Sequence, residues 1–138
     1  MKSFFFILIY MISTFASAGE LHSLASADQA EEVEALIKNG SNINERLTSG
    51  SPGFYHGFTP LMSASMNCSV NTVGYLTKNQ AQVNVISKLG DTALDLVIKQ
   101  ISAAREVSVI ANQELDKCLE SALILRSYKA LTAVQLKK

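Results

Sequence analysis

Gly57-Phe58-Thr59-Pro60-Leu61-Met62-Ser63-Ala64-Ser65 and Gly90-Asp91-Thr92-Ala93-Leu94-Asp95-Leu96-Val97-Ile98 carry one local pattern twice, at an interval of 33 residues. Each copy opens on a glycine, places a threonine two residues on and runs into an apolar stretch. Thr59 can accept unpaired N–H groups at a helix start, and Pro60 at the first helical position gives up no hydrogen bond there. Thr92 with Asp95 three residues later forms an acidic version of the capping box, and the carboxylate suits the positive end of the helix dipole. Self-similarity at this period marks a stacked array whose units bury their apolar faces on one another. Such an array offers a surface more readily than a pocket, so binding is expected before catalysis.

The register extends outward from these two starts. Val73 and Leu76 follow the first as a second helix, and Val83-Asn84 closes that unit. Counting backward, Leu21-His22 falls on the first helix of an earlier unit, and Val33 with Leu36-Ile37 on its second. Asn39-Gly40-Ser41-Asn42-Ile43-Asn44 then ends that unit. Leu21, Leu24 and Ala25, then Val33, Leu36 and Ile37, give two short helices with one apolar stripe each. Helices this short are marginal in water, so they need the next unit to lean on.

Gly-x-Thr-Pro-Leu, a later Val-x-x-Leu helix and a closing Val-Asn resemble the ankyrin repeat. The resemblance implies an all-α solenoid of about three helix-turn-helix units, near residues 20–55, 56–88 and 89–138. It gives His22 the role of bonding a neighbouring unit. It also puts Met62, Ser63, Met66 and Asn67 on the first helix of the second unit, which lines the concave face beside the finger loops. Met62 stands where the repeat usually has a histidine and is expected to fill that internal slot, which leaves Met66 as the surface candidate.

The chain departs from the plain pattern twice. Asn44 and Asn84 lie 40 residues apart, so an insertion occupies the first finger loop, residues 45–55. Its Thr48-Ser49-Gly50-Ser51-Pro52-Gly53 run is turn chemistry without apolar period, predicting an exposed, extended projection. In the third unit the apolar rhythm persists through Leu94, Val97, Ile98, Ile101 and Ala104, toward Val107. A new stripe then runs through Leu115, Cys118, Leu119 and Ala122. The last unit is therefore expected to be a lengthened helical hairpin, and residues 131–138 to continue the helix or fray.

The first eighteen residues follow the plan of an export signal: Lys2, an apolar stretch over residues 4–12, and Ala16-Ser17-Ala18 before Gly19. A spanning helix needs about 20 apolar residues, so this stretch reads as a signal rather than an anchor. The exported chain would be the single domain 19–138, in the bacterial periplasm. Without Lys2, 11 basic side chains face 12 acidic ones, so no global field draws the chain to nucleic acid or anionic lipid. Cys68 and Cys118 would enter a compartment where disulfides persist. The interval alone leaves a bridge and two buried small apolar residues equally open.

Catalytic and metal chemistry have little to build on. The chain holds two histidines, His22 and His56, and no His-x-x-x-His, Cys-x-x-Cys or His-Glu spacing for zinc. There is no Gly-x-Ser-x-Gly elbow, and the Glu31-Glu32 pair has no apolar pocket to raise a pKa. No cofactor, metal or enzymatic activity is expected. Aromatic placement is more pointed: of five aromatic residues after position 18, Phe54, Tyr55 and Phe58 fall within five positions. They are read as partner anchors or as a staple folding the loop back on the first unit. With His56, Arg46, Met66, Lys88 and Leu89 they form the expected contact patch for one protein partner. Small exported ankyrin proteins of this kind resemble periplasmic self-protection proteins. Some of those inhibit cell-wall endopeptidases of the penicillin-binding-protein type, as in predatory bacteria shielding their own wall. The competing reading keeps residues 4–16 as a membrane anchor for a scaffold.

Overall fold

A computed structural model describes residues 18–48, 55–106 and 112–138. The signal-like segment before Ala18 and the tip of the inserted loop with Phe54 lie outside these residues. Seven helices occupy the described chain: α1 (Ala18–Ser26), α2 (Ala30–Lys38), α3 (Pro60–Met66), α4 (Val70–Lys78), α5 (Ala93–Glu106), α6 (Asn112–Ser127) and α7 (Ala133–Leu136). No strand occurs among the described residues. Helices α1, α3 and α5 pack in an inner row, α2, α4 and α6 in an outer row, and each pair leans on the next.

The core runs continuously through the units. Leu21, Ala25 and Val33 bury from the first, Leu61, Met62, Ala64, Val73 and Leu76 from the second, and Leu94, Val97 and Leu125 from the third. Met62 thus fills the internal slot expected of it. The helix starts are those read from the threonines. The Thr59 hydroxyl accepts from Met62 N at 3.3 Å. Thr92 N donates to Asp95 Oδ2 at 2.9 Å, while Asp95 N donates to the Thr92 hydroxyl at 3.3 Å.

Neither outer helix α2 nor α4 has a side-chain cap from its own N-cap residue. At α4 the preceding unit supplies one. Asp28, in left-handed backbone at φ 58°, accepts from Thr72 N at 2.9 Å and from Asn71 Nδ2 at 2.9 Å. Ser69, the N-cap residue itself, turns its hydroxyl away to donate to Ser26 O at 2.9 Å. A cap reaching across the joint ties the stability of one helix to the presence of its neighbour.

Finger loops add a second set of ties. Asn44 Oδ1 accepts from Gln82 N at 2.8 Å, and Asn84 Oδ1 repeats the bond one unit on, accepting from Leu131 N at 2.7 Å. At the second joint there is also a covalent tie: Cys68, at φ 50° between α3 and α4, is bridged to Cys118 in α6 with a Cα separation of 4.7 Å.

The inserted loop, expected as an exposed projection, is tied down at its base, and its tip lies outside the described residues. Leu47 N donates to Phe58 O at 3.0 Å and Gly57 N to Leu47 O at 2.9 Å, pinning both arms. The C-terminal tail neither extends α6 nor frays. Lys129 at φ 62° turns the chain, and α7 starts behind a full capping box of Thr132 and Gln135.

Candidate partner-binding face

The inner row and the finger bases form the face on which the predicted contact residues fall. His22 anchors it from below, 4% exposed. Its Nε2 stands 3.0 Å from Phe58 O; a carbonyl can only accept, so Nε2 carries the proton. The other ring nitrogen, Nδ1, lies 3.4 Å from Glu45 Oε1. Burial pushes the Glu45 carboxyl above its ordinary value, while the neighbouring His22 works in the opposite direction. This pair lies at the foot of the inserted loop and couples its first residues to α1.

Phe58 is not an exposed anchor and reaches the face only in the lining of a small hollow between the second and third units. It is 2% exposed, within the core, and its ring meets Tyr55 edge-on with centroids 5.5 Å apart at 88°. The physical reason lies in its backbone: its carbonyl accepts from both His22 and Leu47, which holds it between α1 and the loop, over the core. The aromatic cluster is therefore split. Phe58 acts as the inward staple, and Tyr55 stays half-buried at the rim.

Tyr55 and Leu47 wall a depression of about 510 Å³ whose floor is made of small side chains, among them Ser23, Ser26, Ala27 and Ser63. A second depression, about 180 Å³, lies between the second and third units and is lined by Met66, Leu89, Leu96 and Lys99. Leu89 is 62% exposed and Met66 half-buried. Arg46 and Lys88 are exposed, and half-buried His56 takes Lys88 N on its carbonyl at 3.4 Å. The structure thus gathers Tyr55, His56, Arg46, Met66, Lys88 and Leu89 along the inner row and finger bases, and withdraws Phe58 into the core.

The floor of the larger depression was not visible in the sequence. Only the pairing of α1 with α3 brings Ser23, Ser26 and Ala27 beside Ser63. Both hollows are open and shallow, the geometry that accepts side chains of a partner surface. Among the described residues no cluster of three His, Cys, Asp or Glu side chains could hold a metal ion. No helix among them is long and apolar enough to cross a membrane.

A helical solenoid with an open inner face defines the class: a protein-binding module. The family profile described as Ankyrin repeats (3 copies) matches residues 21–120, and the chain belongs to that family. No curated protein matches it. Proteins of this family are in general interaction modules without catalysis.

Proposed function

We propose that this protein is exported and binds one protein partner on the inner face between Tyr55 and Leu89, inhibiting a periplasmic cell-wall endopeptidase of the penicillin-binding-protein type. The observation that carries the binding part is the run of two open depressions along the inner row, edged by half-buried Tyr55 and exposed Leu89. Export is supported by the signal-like first eighteen residues and by the Cys68–Cys118 bridge, a bond that persists in oxidising compartments. The endopeptidase rests on the resemblance to small exported ankyrin proteins.

The test combines two measurements. Intact mass of protein expressed with its own N-terminus is expected to begin at Gly19; a retained leader would turn the reading toward an anchored scaffold. Purified endopeptidase is then assayed on muropeptide with increasing protein. Stoichiometric loss of cleavage, relieved in Tyr55→Ala and Leu89→Asp variants, is expected. Full cleavage at excess inhibitor overturns the inhibitory role.

A further inference from the structure

We propose that the partner meets the finger bases with an acidic segment: a carboxylate set on Arg46 and Lys88, beside an apolar side chain set on Met66 and Leu89. The inference rests on the protein-binding reading above and names the chemistry of the partner.

Arg46 belongs to the first finger and Lys88 to the second, yet both close on Gly57. A Cβ placed on that glycine would lie 3.5 Å from Lys88 Cγ and 3.9 Å from Arg46 Nη1. Gly57 itself sits at φ +79°, with its N–H bonded to Leu47, and its missing side chain leaves room for the Lys88 stem and the Arg46 guanidinium to pass beside it. The carboxylates nearest in sequence are already paired, Asp91 within the lining of the smaller depression itself. Glu45 faces His22 at 3.4 Å, and Asp91 is taken by Lys99 through both oxygens at 2.8 and 2.7 Å. Among the described residues, neither Arg46 nor Lys88 forms an ion pair. Two basic side chains that pass one glycine and form no ion pair among the described residues contribute no salt bridge to the fold. They match an anion, and the guanidinium fork suits a carboxylate.

The ground beside them selects the kind of anion. Leu89 follows Lys88 directly and lines the smaller depression with Met66 and Leu96. An isolated phosphate has no use for that apolar hollow. The backbone N–H groups that would cradle one are spent: Lys88 N on His56 O and Gly57 N on Leu47 O. A nucleic acid would call for net positive charge, and the whole chain carries a formal charge of +0. A peptide segment with Asp or Glu next to Leu, Met or Phe satisfies both parts of the patch.

A random linear-peptide display library, panned on protein purified from a bacterial periplasm, tests this. Panning runs in parallel on Arg46→Glu/Lys88→Glu, both exposed positions, with folding checked by circular dichroism. Wild type is expected to enrich peptides carrying Asp or Glu adjacent to a large apolar residue, and the double reversal to lose them. Affinity of the best peptide should fall about tenfold or more in Arg46→Gln/Lys88→Gln and weaken with added salt. Wild-type binders that are lost on Leu89→Asp but lack carboxylates overturn the acidic partner and leave the binding face standing. Binders indifferent to all of these substitutions, or no binders, overturn both.

Discussion

Breaking the Cys68–Cys118 bridge is the perturbation whose size can be worked most directly. The bridge spans 50 residues and joins the turn of the second unit to the outer helix of the third. Loop-closure entropy for that span gives about 4 kcal/mol, acting on the unfolded chain. Domains of this size are stable by about 5–15 kcal/mol, so the bridge would supply a large share. Folded contacts need not change: Leu94 and Val97 stay buried and Asn84 keeps its bond to Leu131. Alanine is the right replacement at position 68, because Cys68 sits at φ 50° and alanine meets the same left-handed cost, which isolates the bridge. With a urea slope of about 2 kcal/mol/M, the Cys68→Ala/Cys118→Ala midpoint should fall by about 2 M, and reductant on wild type should do the same. The assay is far-UV circular dichroism in urea. Midpoints agreeing within about 0.3 M, or alkylation of two thiols without reductant, would refute the reasoning.

Three further outcomes follow from single side chains. Asn84→Ala removes the acceptor for Leu131 N and the donor to Lys129 O, and should cost about 1 kcal/mol with faster hydrogen exchange at the Leu131 amide. Unchanged exchange there would show that α7 does not depend on the finger. Gly57→Ala meets a left-handed φ of +79° and Lys88 N at 3.4 Å from the new Cβ; a loss of about 1–2 kcal/mol in thermal unfolding is expected, and a neutral result would refute it. Glu45 has a carboxyl raised by burial, so the fold favours its protonated form. That contribution is complete below the unfolded carboxylate value and is lost as pH rises through the folded one. Glu45→Gln keeps the neutral form at every pH, so its advantage over wild type should grow upward from the ordinary carboxylate range; a constant difference in Tm across that window contradicts it.

The repeat register was legible because it is written in local chemistry: Thr59-Pro60 and Thr92 with Asp95 state helix starts within four residues. Contacts across units were not. Phe58 stands in an aromatic cluster beside a turn-rich loop, and nothing local shows that its carbonyl is held by His22 from 36 residues away. The bridge was equally hidden, since an interval carries no distance. One signal was present and passed over: Thr132-Ala133-Val134-Gln135 is a capping box in sequence, and it forms α7 where the tail was expected to extend or fray. The floor of the larger depression, Ser23 to Ala27 against Ser63, exists only once α1 and α3 pair.

Asp28 and Cys68 are equivalent, each left-handed in the turn between two helices and 40 residues apart, like Asn44 and Asn84. Asp28 reaches the outer helix of the next unit through hydrogen bonds to Thr72 N and Asn71, and Cys68 reaches the next outer helix through sulfur. The same position thus joins consecutive units by two different chemistries, the stronger one at the joint that carries the long α5–α6 hairpin. Ties also run between the inner helices: the Ser26 hydroxyl donates to Ser63 O at 3.4 Å and His22 Nε2 to Phe58 O at 3.0 Å. Ser23, Met66 and Leu89 on the same face form no such side-chain bond among the described residues. These positions, unlike His22 and Ser26, can change without loosening the joints, which is the physical condition for a face specialised toward one partner.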